Sequence, residues 1–85
     1  MRVTFTRTAW DDYLYWQAQD KKTLKRINLL IEDIARNGYE GIGKPEPLVG
    51  ELSGCWSRRI NDHDRLVYRL IAGGLVEVLQ CRGHY

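Results

Sequence analysis

The last five residues, Cys81-Arg82-Gly83-His84-Tyr85, gather an arginine, an imidazole, a phenol and a carboxylate at one end of the chain. Such groups bind phosphate, move protons and stack on bases. Three more residues invite the same attention. Glu46 stands between Pro45 and Pro47, so its backbone has little freedom. Arg59 and Arg65 lie in segments that alternate as strands do. Other chemistries find no support. His63 and His84 are too few and too ill-spaced for zinc, and no carboxylate cluster suggests magnesium. Ser53 and Ser57 lack an evident paired base. Gly41 and Gly43 run into Lys-Pro-Glu-Pro, not into a helix, so they form no phosphate loop.

What remains suits RNA cleavage without a metal. RNA carries its own nucleophile, the 2′-hydroxyl. A catalyst must take its proton, offset charge on five-coordinate phosphorus and protonate the departing 5′-oxygen. A carboxylate or imidazole can be the base, arginine the charge stabiliser and histidine the acid. Glu46, Arg59, Arg65 and His84 could fill these roles.

The elements that must position these groups are readable in outline. Residues 2–6 alternate, placing Val3 and Phe5 on one face of a short strand. Thr8 suits a helix N-cap, with Asp11 three residues on to reach back. That helix is expected to run to Gln19, with Trp10, Tyr13, Leu14 and Ala18 inward. Asp20 can cap a second helix, whose Leu24, Ile27, Leu30, Ile31, Ile34 and Ala35 form one stripe. Lys21, Lys22, Lys25 and Arg26 take its exposed side, either as a solvated face or as a comb facing RNA. Asn37-Gly38 ends it.

Residues 38–50 read as a rigid linker or as a holder for Glu46. Three strands follow, over Cys55–Asn61, Arg65–Ala72 and Leu75–Arg82, joined by Asn61-Asp62-His63-Asp64 and Gly73-Gly74. Trp56, Arg58 and Ile60 share one face of the first, and Cys55, Ser57 and Arg59 the other. Arginines on the second face either grip phosphate or pair with Glu51, Asp62, Asp64 and Glu77. The expected fold is therefore α+β: a short N-terminal strand, a two-helix hairpin and an antiparallel meander with the helices on one face.

The chain has 85 residues, enough for one domain over 1–85. Its formal charge of +2 is weak evidence for a nucleic-acid partner. Three Trp and five Tyr exceed the needs of so small a core, so some should face a partner. Two cysteines inside apolar runs read as buried hydrophobes and point to a reducing cytoplasm. No signal peptide or spanning segment is visible, which suggests a soluble protein. Small size makes a homodimer plausible.

The motifs Trp10-Asp11-Asp12-Tyr13, Gly43-Lys44-Pro45-Glu46-Pro47-Leu48, Leu52-Ser53-Gly54-Cys55-Trp56-Ser57-Arg58-Arg59-Ile60, Arg65-Leu66-Val67-Tyr68 and His84-Tyr85 closely resemble the YoeB/Txe family of bacterial toxins, within the RelE-like superfamily. The resemblance runs nearly end to end. It implies a toxin of a type II toxin–antitoxin pair, an mRNA endonuclease that works in the ribosomal A site and halts translation without a cofactor. It also implies a homodimer and an antitoxin whose flexible segment wraps the toxin. Glu46, Arg59, Arg65, His84 and Tyr85 match family site positions, with Glu46 as general base, His84 as general acid and Tyr85 organising the site or touching RNA. One position departs. A lysine that assists phosphate binding often follows the Pro-Glu-Pro-Leu segment, and here Val49 stands there. That leaves phosphate binding to Arg59, Arg65 or Lys44, or a slower enzyme. Two rival classes use the same residues: a non-catalytic RNA- or ribosome-binding module, and an inactivated toxin serving as a partner-binding scaffold.

Overall fold

The computed structural model describes every residue from Met1 to Tyr85. Its longest element is helix α2 (Lys21–Asn37), formed where the apolar stripe lies. Ile27, Leu30 and Ile34 are fully buried, while Lys21, Lys22 and Lys25 stay exposed. Asp20 caps it as expected, accepting from the Lys22 and Thr23 amides at 3.1 and 3.3 Å and from the Thr23 hydroxyl at 2.8 Å. Those Thr23 bonds hold the Asp20 carboxyl below its ordinary value of 3.8. Gly38 ends the helix with φ +66°, and its amide donates to the Ile34 carbonyl.

Helix α1 (Arg7–Gln19) departs from expectation at its start. Its N-cap is Thr6, not Thr8. The Thr6 hydroxyl accepts from the Ala9 amide at 3.1 Å and donates to the Leu79 carbonyl at 2.8 Å. Thr6 can thus cap the helix and tie it to a distant strand, which Thr8, inside the first turn, cannot. Asp11 does not reach back; it pairs with Arg7 at 3.3 Å in solvent. The inward face differs accordingly. Tyr13 is inward as expected, but Ala9 and Trp16 join it against the core, while Trp10 and Leu14 are 43% and 40% exposed. The small Ala9 lets the helix backbone approach the sheet, and the Cys81 thiol donates to its carbonyl at 3.6 Å.

Five strands form one sheet: β1 (Arg2–Phe5), β2 (Glu46–Pro47), β3 (Trp56–Arg59), β4 (Arg65–Ile71) and β5 (Leu75–Gln80), in the order β1-β5-β4-β3-β2. The antiparallel meander β3-β4-β5 is the expected one. Beyond it, β1 pairs parallel to β5, and β2 pairs antiparallel to β3. Both helices pack on one face, where Ala9, Ile27, Leu30 and Ile34 meet Ile60, Leu66, Tyr68, Val76 and Val78. The other face is apolar only at one end, where Leu48, Cys55 and Val67 pack with Leu52 and Leu79. Both cysteines are free and buried. Burial pushes the Cys81 thiol up to about 12, so it stays protonated and unreactive.

The helix-facing side of β3 carries a charge. Arg58 is fully buried. Its guanidinium donates to Asp33 Oδ2, to the carbonyls of Ile42 and Gly38 at 2.8 Å and to that of Glu40 at 2.9 Å, and its Nε donates to the Tyr68 hydroxyl at 3.0 Å. Every donor on the side chain is satisfied, which is what makes its burial tolerable. The segment 38–43 is therefore a cradle, not merely a linker. Gly41 adopts φ +128°, and a Cβ there would run into the Asp33 carboxylate.

The Arg58 hydrogen bond is the largest influence on Asp33 and holds its carboxyl below the usual 3.8. A depressed carboxylate pKa contributes stability above the unfolded value, lost as pH falls through the lower folded value. Acid unfolding of wild type should therefore steepen below about pH 4, and Asp33→Asn should lack part of that dependence. Circular-dichroism melts across pH 2–7 check this; parallel curves for the two proteins would contradict it.

Candidate active site

Glu46 lies opposite Ser57 across β2 and β3, and Pro47 opposite Trp56. An edge strand tolerates proline because one row of its amides needs no partner. Ser57 lies in turn opposite Val67, and Arg59 opposite Arg65. Directly paired residues share a face with Cβ atoms ~4.5–5.5 Å apart. Glu46, Ser57, Arg59 and Arg65 thus occupy the polar part of the face turned away from the helices. Tyr85 reaches the same face, its hydroxyl 3.1 Å from Ser57 Oγ.

Like charges directly across a sheet are unfavourable, so the Arg59–Arg65 pair needs a reason. The ion pairs join Arg7 to Asp11, Arg58 to Asp33 and Arg69 to Glu77, and neither Arg59 nor Arg65 takes part. Of the sheet arginines expected either to pair or to grip phosphate, only Arg69 pairs, with Glu77 at 2.6 Å. Arg65 is nearly buried and donates only to the carbonyls of Asn61 and Asp64, at 2.8 and 3.2 Å. Arg59 is exposed. Two cations side by side without a counterion make a ready seat for an anion. Lys44 is also exposed, one residue beyond Gly43, whose carbonyl accepts from the Arg59 amide at 2.7 Å. Val49 is 87% exposed, an apolar side chain standing in water.

The C-terminal tail is carried to this face in steps. Helix α1 holds it first. The Cys81 amide donates to Asp12 Oδ2 at 3.0 Å, and Trp16 Nε1 donates to the Cys81 carbonyl at 2.8 Å. Burial pushes the Asp12 carboxyl up, partly offset by that amide. Arg82 lies over the Tyr15 ring at 3.5 Å, so it and Cys81 are structural. At Gly83, with φ +81°, the chain turns; its amide donates to Asp64 Oδ1 at 2.7 Å, and its carbonyl accepts from the Arg65 amide at 3.0 Å.

His84 and Tyr85 follow, both exposed, their rings 5.1 Å apart and 27° from parallel. His84 Nδ1 is 3.3 Å from the Tyr85 backbone oxygen. That oxygen can only accept, so a hydrogen bond between them has Nδ1–H as its donor, and Nε2 takes part in none.

The sequence offers Ser57 only as a hydroxyl without a paired base and Asp64 only as a possible arginine partner, so neither is expected in the site. Alternation does place Ser57 beside Arg59, but nothing local says that a tail will cross it. No cluster of three His, Cys, Asp or Glu side chains converges to hold a metal ion. No helix is long and apolar enough to cross a membrane. The site is an open face with cationic, carboxylate, imidazole and phenol groups at its surface, which suits a polymer lying across it.

Comparisons with known proteins agree with this architecture. A family model for the YoeB-like toxin of bacterial type II toxin–antitoxin systems matches residues 5–85. The chain is 56% identical over 85 residues to Toxin YoeB of Streptomyces coelicolor, covering the whole of both. Among solved structures, the YoeB/ParE toxin from Agrobacterium tumefaciens is 46% identical with a TM-score of 0.97, again over all of both chains. YoeB of Staphylococcus aureus, solved as a dimer, is 46% identical with a TM-score of 0.91. The same toxin solved with YefM is 45% identical with a TM-score of 0.92. Each of those two matches covers all of this chain and 98% of the other. More distant likeness extends to YafQ of Escherichia coli, 16% identical with a TM-score of 0.80, which bears on fold alone. With a match across nearly its whole length in sequence and in fold, the chain belongs to the YoeB-like toxin family of bacterial type II toxin–antitoxin systems.

Proposed function

We propose that this toxin is a metal-independent endoribonuclease that cleaves mRNA in the ribosomal A site. The observation that carries the reading is the face shared by Glu46, the unpaired Arg59–Arg65 couple and Tyr85, with the His84 ring stacked on that of Tyr85. Glu46 takes the proton of a 2′-hydroxyl, whose oxygen attacks the adjacent phosphorus. Arg65 offsets charge on the five-coordinate phosphorus, and Arg59 and Lys44 bind flanking phosphate. His84, carrying a proton on each ring nitrogen, gives its Nε2 proton to the departing 5′-oxygen and is left neutral with its proton on Nδ1. One P–O bond forms and one breaks, leaving a cyclic 2′,3′-phosphate and a 5′-hydroxyl. Tyr85 orients the scissile region or stacks on a base.

The partners follow from the same reading. mRNA and the ribosome supply the substrate. A cognate antitoxin binds and silences the toxin, a pairing supported by the S. aureus YoeB–YefM complex, and the reading places both in the cytoplasm. A homodimer is the proposed assembly, supported by the S. aureus dimer.

Removing Tyr85 should abolish cleavage with little loss of folding, because the residue is 45% exposed and its hydroxyl bonds only to Ser57. A translation assay paired with thermal melting tests this. A large fall in melting temperature would make the tail structural. Retained cleavage would remove Tyr85 from the site.

A further inference from the structure

We infer that Asp64 is a positioning residue that sets the place of His84 through Gly83, and that the β3–β4 turn thereby fixes His84 relative to Arg65. The inference rests on the nuclease reading above. Asp64 carries no charge partner; its carboxylate instead accepts two N–H groups, the Gly83 amide at 2.7 Å on one oxygen and Asn61 Nδ2 at 3.0 Å on the other. Asn61 Oδ1 closes the turn by accepting from the His63 and Asp64 amides at 2.8 and 2.7 Å. The same turn holds the Arg65 guanidinium through the Asn61 and Asp64 carbonyls. One rigid loop thus grips the proposed charge stabiliser by its carbonyls and the proposed acid's neighbour by its carboxylate.

Gly83 is where such a grip matters. It is the last residue before His84, and glycine is the residue with most backbone freedom to lose. Upstream, helix α1 holds residues 79–82 through Thr6, Asp12, Trp16 and Tyr15. Downstream, the hydroxyl contact of Tyr85 with Ser57 is the only hydrogen bond tying the last two residues to the rest of the fold. The bonds at Gly83 are therefore the nearest fixed point to the imidazole. An amide bond to a carboxylate is shorter and stronger than one to a neutral acceptor. Without it, Gly83 keeps only the Arg65 amide, and the peptide can swing about that bond. The fold should survive, because the core contains neither residue.

Single-turnover cleavage on programmed ribosomes tests this with wild type, Asp64→Ala, Asp64→Asn and Asp62→Ala. Hydrogen exchange of the Gly83 amide and thermal melting are read alongside. Asp64→Ala should slow the saturated rate by roughly 10–100-fold, the effect of ångström-scale misplacement. Its half-saturating ribosome concentration and melting temperature should change little, and Gly83 protection should be lost. Asp64→Asn keeps an acceptor oxygen and should recover most of the protection and part of the rate. Asp62, exposed and without a side-chain partner, should be silent. A cutting wild type with an equally fast Asp64→Ala overturns the positioning role alone. So does Gly83 protection that survives in Asp64→Ala, or a rate loss matched by collapse of the melt. If wild type cuts nothing, the nuclease reading fails and takes the positioning role with it.

Discussion

Glu46→Ala and His84→Ala, made separately, should each slow mRNA cleavage by roughly 10²–10⁴-fold, the usual contribution of one general base or acid. Both side chains are exposed, so neither substitution removes packing, and melting temperatures should stay near wild type. The two losses should not multiply in a double variant, because base and acid act on one transition state. This pair also separates the rival readings. A module that only binds RNA would keep its toxicity and its ribosome co-sedimentation after either change. A scaffold would neither cut nor co-sediment in any form. The reading as an enzyme fails if both variants still block growth while mRNA stays intact.

The largest stability effect is expected far from that face. Arg58→Met preserves length but takes the guanidinium from Asp33, leaves the Ile42 and Glu40 carbonyls without their donor, and leaves the Gly38 carbonyl only the Tyr68 hydroxyl. Breaking a buried ion pair in this way costs roughly 3–5 kcal/mol. For a domain of this size each kcal/mol is worth ~4–8 °C, so the melting temperature should fall by at least about 12 °C. Asp33→Ala should cost less, because that side chain is 18% exposed and water can reach the groups it leaves. A melt of Arg58→Met within a few degrees of wild type would contradict the cradle. Activity should follow stability in this variant, since the cradle also sets where Gly43, Lys44 and Glu46 leave helix α2 for the sheet.

Arg58 also marks where sequence reasoning reached its limit. Alternation put it correctly beside Trp56 and Ile60. The cost of burying an arginine argues against a core place unless every donor finds an acceptor. The acceptors are backbone carbonyls of 38–42, and nothing in a one-dimensional pattern announces which way a glycine-rich loop turns its carbonyls. By contrast α2 was legible, because its apolar residues repeat at helical spacing and Asp20 and Gly38 are unambiguous stops. The meander was legible for a similar reason, as tight turns leave neighbouring strands no other partner.

Pairings between distant segments were not legible. β1 meets β5 some 73 residues later in the sequence, as Arg2 opposite Leu75, and β2 has only two residues, too few for any period. Thr6 gives no local signal that sets it above Thr8, because its second bond, to Leu79, is equally remote. The site shares this division. Glu46, Arg59, Arg65, His84 and Tyr85 were named from their chemistry and from family resemblance. Ser57 and Asp64, which link the tail to the sheet, carry no chemical signature and emerge only from register and turn geometry.

Primer-extension mapping of mRNA cut sites, with and without ribosomes, tests the central claim most directly. The account predicts discrete cuts at the codon in the A site when ribosomes are present, none of comparable rate on naked mRNA, and none with Glu46→Ala. Equal cutting without ribosomes, or no cutting by wild type on translating ribosomes, would contradict it.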